Sequence, residues 1–122
     1  MKILVADDSA LMRHVLVKTL SEAGVESVVH AINGNEAVQK VEEEAPGLVL
    51  MDWVMPHMTG IDAVKKIRGS GNKVPIIMCT TEGEQNRVVD AIKAGANNFV
   101  VKPFDPKLIK AKIKETLAKA SS

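Results

Sequence analysis

Five short β-rich runs alternating with five longer helical patterns predict an α/β fold. The expected architecture is a doubly wound, five-stranded parallel sheet, (βα)5, in a chain of 122 residues. Two further observations support it. The runs Ile3–Ala6, Leu48–Met51 and Ile76–Cys79 are continuously apolar. They lack the in/out alternation of a half-wet sheet, so these strands should be covered on both faces. A helical pattern also separates each pair of successive strands, as a right-handed parallel crossover requires. The length fits one domain, residues 1–122.

The elements follow in order. The first strand, Ile3–Ala6, runs into Asp7-Asp8. The first helix, residues 9–23, sets Met12, Leu16, Leu20 and Ala23 along one stripe, and Gly24 closes it. The second strand is Ser27–Ala31. Asn33 caps the second helix, 34–44, with Glu36 at the reciprocal position and Ala37, Val38 and Val41 inward. The third strand, Leu48–Met51, meets Asp52, and Thr59-Gly-Ile-Asp62 opens a third helix ending near Gly69. A Gly/Ser/Asn loop leads into the fourth strand, Ile76–Cys79. Thr81-Glu-Gly-Glu84 predicts the start of a fourth helix with Val88, Val89 and Ile92 buried and Gly95 closing it. Gly83, near that start, costs the helix ~1 kcal/mol relative to alanine and is read as a contributor to mobility. The fifth strand is Asn98–Val101. Asp105 caps the fifth helix, with Pro106 at its first position and Ile109, Ile113 and Leu117 inward.

Composition removes several function classes. The formal net charge of +1 gives no reason to expect nucleic acid or an anionic membrane as partner. Lys107, Lys110, Lys112 and Lys114 read as a solvated helix face. The single cysteine, Cys79, cannot form an internal disulfide and is expected to be an inert core thiol, which fits a reducing cytoplasm. Asp7 and Asp8 interrupt the apolar N-terminus, so no signal peptide is expected, and no run approaches the ~18 apolar residues of a membrane span. His14, His30 and His57 fall on a helix, a strand and a loop without ligand spacing, so no histidine metal site is expected. Dinucleotide and P-loop fingerprints are missing.

A doubly wound sheet places its site at the carboxyl ends of its strands. Those ends carry Asp7-Asp8, Asp52, Thr80-Thr81 and Lys102-Pro103. Three carboxylates held together repel, and Lys102 neutralises only one charge. A hard divalent cation would neutralise the rest, and Mg²⁺ favours a few carboxylates, water and a ligand phosphate. The set therefore suits phosphoryl chemistry, with an aspartate as nucleophile and metal and lysine balancing the transferring charge. Each residue alone has a plainer reading. Asp7 or Asp8 could cap the first helix, although Ser9 is available. Asp52 could end a strand, and Lys102 could be solvated. Thr81 is the better cap for the fourth helix, which leaves the Thr80 hydroxyl free. Together the residues favour a site.

The segments VADDS, LVLMDWVMP, CTTE and FVVKPF resemble the receiver domain of two-component response regulators, a flavodoxin-like, CheY-like fold, over essentially the whole chain. The resemblance implies that Asp52 accepts a phosphoryl group from a sensor histidine kinase or phosphotransfer protein. It implies that Asp8 binds Mg²⁺ directly, with Asp7 assisting through water, and that Asp52 and the Val54 backbone carbonyl complete the protein ligands. Lys102 would pair with the phosphoryl oxygens, Thr80 would swing towards them, and Phe99 would be the switch aromatic, a position often held by tyrosine. A cis Lys102-Pro103 bond is implied too. Thr81 stands where a smaller residue is usual, and Val54 and Glu82 occupy positions that tune the lifetime of the phosphorylated state. Apart from the resemblance, Arg13 and His14 on the first helix read first as a solvated face, with docking of a histidine-containing phosphodonor as the alternative. Output would be a protein contact on the face of the fourth helix, fifth strand and fifth helix, chemotaxis being one use. The chain is thus expected to be a monomeric cytoplasmic switch. It would not be an enzyme with a separate substrate, though it would assist its own phosphorylation and dephosphorylation. The competing readings are a small Mg²⁺-dependent phosphohydrolase, a phosphorylation-independent interaction domain and a receiver fragment of a longer regulator.

Overall fold

A computed structural model describes residues 1–81 and 87–120. Its elements are β1 (Lys2–Ala6), α1 (Ala10–Glu22), β2 (Ser27–Ala31), α2 (Gly34–Glu44), β3 (Leu48–Asp52), α3 (Gly60–Gly69), β4 (Ile76–Thr80), α4 (Val88–Ala94), β5 (Asn98–Val101) and α5 (Pro106–Ala120). The strands form one sheet in the order β2-β1-β3-β4-β5, and every neighbouring pair is parallel. This is the doubly wound (βα)5 sheet expected from the sequence.

The apolar runs divide by alternation into two cores. Ile3, Val5, Leu48, Leu50, Ile77 and Cys79 face Leu16 and Leu20 of α1 and Ile109 and Ile113 of α5. Leu4, Ala6, Val49, Met51, Ile76 and Met78 face Ala37 and Val41 of α2, Val64 and Ile67 of α3 and Ala91 of α4. Both faces are covered, so these strands carry no polar side. Cys79 is buried, which pushes its thiol up to about 12 and keeps it an unreactive neutral group.

The expected caps hold four helices in place. Ser9 Oγ accepts from Met12 N at 3.1 Å, Asn33 Oδ1 from Glu36 N at 2.8 Å, Thr59 Oγ1 from Asp62 N at 3.2 Å and Asp105 Oδ1 from Leu108 N at 2.7 Å. Gly24 and Gly95 adopt the positive φ that ends α1 and α4. The fourth helix departs from expectation. Val89 and Ile92 are 61% and 45% exposed rather than buried, and α4 buries Ala91 instead. The helix is turned so that Val88, Ala91 and Ala94, spaced by three, form its inward line. Small alanines let it lie close to the sheet, and the larger side chains point to solvent. The capping segment expected around Glu82, Gly83 and Glu84 lies outside the described residues. Arg87, which precedes α4, makes no side-chain cap. Among the described residues no helix is long and apolar enough to cross a membrane.

Candidate functional site

Parallel register brings the strand ends to one edge. Ala6 stands opposite Met51, Asp52 opposite Cys79, and Thr80 opposite Val101. Asp7, Asp8, Thr80 and Lys102 therefore gather around Asp52. Backbone bonds fix the flanks: Asp7 N donates to Ala31 O at 3.0 Å and Lys102 N to Thr80 O at 2.6 Å. Asp7, Asp8 and Asp52 each present a carboxylate oxygen within 4.8 Å of the others. Asp7 is buried, Asp52 half-buried and Asp8 exposed.

Lys102 Nζ donates to Asp52 Oδ1 at 2.9 Å and to Asp7 Oδ2 at 3.2 Å. Asp52 Oδ1 also accepts from Trp53 N at 2.9 Å, and Asp7 Oδ1 from Ser9 N at 2.9 Å. Burial holds the Asp52 carboxyl above the ordinary aspartate value, and the charge of Asp7 adds to this. The Lys102 bond and the Trp53 N–H oppose the rise without cancelling it. For Lys102, burial pulls the pKa down, but the bond to Asp52 and the charges of Asp52 and Asp7 leave it raised. The lysine is thus a firm cation, and Asp52 is a strained anion. Three carboxylates and one ammonium leave two negative charges on an all-oxygen donor set. That fits a hard divalent cation such as Mg²⁺ and does not suit a thiolate- or imidazole-seeking metal.

Thr80 Oγ1 is buried and has no hydrogen-bond partner among the described residues. A buried hydroxyl left unpaired costs about 1–3 kcal/mol. Such an atom is an exception in a folded protein, and Thr80 directly follows Cys79, the partner of Asp52 in the sheet. Val54 lies two residues past Asp52 with its side chain exposed. Phe99 is half-buried against the core beneath α2, α3 and α4, and Lys112 Nζ sits 5.1 Å from its ring centroid. Lys102-Pro103 is cis. Thr81 is exposed and lines an apolar groove of about 370 Å³ with Met12, Val15, Leu16, Lys102, Pro103 and Phe104.

Three residues have positions that sequence reasoning did not reach. Arg13, expected on a solvated face with docking as the alternative, is half-buried and donates through Nη1 to the Asp7 carbonyl at 2.6 Å. Gly34 opens α2 where a Cβ would meet Met58 Cβ at 2.7 Å, so its lack of a side chain lets the loop after Asp52 pack down. Gly60 opens α3 with its N donating to Trp53 O at 2.9 Å, and a Cβ there would collide with the Asp52 carbonyl oxygen. Thr59-Gly60 reads in sequence only as a helix start. Gly60→Ala should displace the backbone of Asp52 itself. We expect it to cost about 1–3 kcal/mol in urea unfolding, the usual range for overpacking, and to weaken divalent-cation binding in the refolded protein. Unaltered stability and affinity would mean that the loop yields freely.

The chain belongs to the response regulator receiver domain family, whose model matches residues 3–114. It is 48% identical over 120 residues to chemotaxis protein CheY1 of Helicobacter pylori, covering 96% of this chain and 97% of that protein. The fold matches the Vibrio cholerae chemotaxis protein CheY4 with a TM-score of 0.83 at 33% identity, over 94% of this chain and 97% of that one. It also matches the receiver domain of the Pseudomonas aeruginosa sensor histidine kinase PA1611, solved with a magnesium ion in its active-site cleft. There the TM-score is 0.85 and the identity 27%, over 96% of this chain and 97% of that one. The chain is therefore a receiver domain homologous to chemotaxis response regulators, a signalling protein of the two-component class.

Proposed function

We propose that residues 1–122 act as one receiver domain, a cytoplasmic monomer switched by phosphorylation of Asp52. The observation that carries this reading is Lys102 bridging Asp52 and Asp7 beside the unpartnered hydroxyl of Thr80. An Asp52 carboxylate oxygen attacks the phosphorus of a phosphohistidine on the kinase or phosphotransfer protein. The new P–O bond forms as the P–N bond breaks, and the imidazole leaves with the electron pair. Mg²⁺, when bound by Asp8, Asp52, the Val54 carbonyl and, through water, Asp7, supplies two positive charges against those of the acids and the phosphoryl group. Lys102 is already aimed at Asp52 and needs only a small shift to reach a phosphoryl oxygen. Thr80 then gains the acceptor that its buried hydroxyl lacks. Hydrolysis of the acyl phosphate by water resets the chain, so the protein assists its own phosphorylation and dephosphorylation.

Movement of Thr80 towards the phosphoryl group vacates space that Phe99 can enter, a population shift rather than a new fold. Output is read on the face of α4, β5 and α5. The exposed Val89 and Ile92 support this, since they give α4 an apolar outer surface with no use in the core. The phosphodonor is taken to approach over α1, where Leu11 and Val15 are exposed and Val15 lines the same groove as Lys102.

Trp53 gives the test. It is the only tryptophan, the chain has no tyrosine, and its amide donates to Asp52 Oδ1. Mg²⁺ should change its fluorescence, and Asp8→Ala combined with Asp52→Asn should abolish the change. A response that persists in the double variant would place the cation elsewhere.

A further inference from the structure

His14 and His30 stand sixteen positions apart in sequence, on different elements, yet they line one open cavity of about 340 Å³ with Ala10, Arg13 and Val17. The residues of α1 here are spaced i, i+3, i+4 and i+7, which is one flank of a helix. That flank overlooks β2, which pairs only with β1 and so forms an edge of the sheet. Both imidazoles are exposed.

Their carriers are fixed. His30 is held by the ladder in which it stands opposite Val5, and the next residue, Ala31, is fully buried and accepts from Asp7 N. His14 sits in the second turn of α1, whose start is capped by Ser9 and whose Leu16 and Leu20 are packed on the sheet. Both imidazoles open on one space from two fixed elements, and imidazole nitrogen is the donor that a borderline divalent metal favours. Among the described residues no carboxylate lines the cavity, so they offer a hard cation little. Arg13, the cation among the described lining residues, donates through Nη1 to the Asp7 carbonyl, which directs its guanidinium towards the strand end while leaving its charge in place.

We propose that His14 and His30 form a second metal site, specific for imidazole-seeking ions such as Cu²⁺ or Zn²⁺, with water completing the coordination. It is chemically distinct from the acidic site and would staple α1 to the edge strand. The proposal does not depend on phosphorylation of Asp52.

The test uses the untagged chain in excess Mg²⁺, which keeps the carboxylate site occupied, with Cu²⁺ as probe and the imidazole NMR signals of the three histidines as readout. His14 and His30 should broaden together at substoichiometric Cu²⁺ while His57, in the loop after β3, stays sharp. In His14→Ala the response of His30 should need about tenfold more Cu²⁺ or above, since even outer-shell partners of a metal are worth that much. His30→Ala should do the same to His14. Both positions are exposed, so neither variant should unfold the chain. Equal broadening of all three histidines, no early broadening of the pair, or a His30 response unchanged in His14→Ala would each overturn the site.

Discussion

Lys102→Met should destabilise the metal-free protein by roughly 2–3 kcal/mol at neutral pH. Methionine keeps most of the stem and removes the ammonium. The side chains of Asp7 and Asp52 are only 3% and 15% exposed, and they would then face each other with no protein cation between them. Removing one partner of a buried pair costs about 3–5 kcal/mol, and the residual exposure of Asp52 puts this case near or below the lower end. The sign with pH follows from linkage. Asp52 already titrates above an ordinary aspartate, and without Lys102 it must titrate higher still. A carboxyl whose folded pKa exceeds its unfolded one penalises folding where it is ionised and ceases to do so where it is protonated. The deficit should therefore be full at neutral pH and shrink as pH falls towards the carboxylate range. Mg²⁺ should restore part of it. Urea unfolding of both proteins across that range, with and without Mg²⁺, measures this. A deficit that grows on acidification would contradict the electrostatic account.

Asp52→Asn should abolish phosphoryl labelling completely while leaving the metal-free fold at least as stable as the wild type. The amide oxygen can still accept from Lys102 and Trp53, so the local geometry survives. What disappears is the ionised group that burial and Asp7 both disfavour. At neutral pH the variant should unfold at a higher urea concentration. Its advantage should close as pH falls and the wild-type Asp52 becomes protonated. A substitution that stabilises the chain and removes its activity is the expected mark of a residue kept for chemistry rather than for folding. Loss of stability in Asp52→Asn at neutral pH would show that the attraction of Lys102 outweighs the strain.

The two effects share a cause that sequence could partly disclose. Continuous apolar runs dictate two-sided burial, two-sided burial dictates a parallel sheet, and a parallel sheet sends all its carboxyl ends to one edge. Asp7, Asp8, Asp52, Thr80 and Lys102 were legible for that reason. The fourth helix was misread because periodicity weights large side chains. Val88, Val89 and Ile92 gave the stronger signal, yet the small Ala91 is the residue that packs. Large apolar residues left in solvent break the pattern at the surface assigned here to output. Gly34 and Gly60 could not be read, because what each avoids lies in the loop and strand of a different unit. Nor could the meeting of His14 with His30, which needs the flank of one helix set above an edge strand.

The central claim is that Asp52 takes the phosphoryl group. Its most direct test is mass spectrometry of the chain after incubation with acetyl phosphate, with and without Mg²⁺, followed by reductive trapping and peptide mapping. A single phosphoryl group on the peptide spanning β3 and its following loop, trapped at Asp52 and dependent on Mg²⁺, is the predicted result. Label on a histidine or on Thr80, or none under conditions that also fail with the cognate kinase, would contradict it.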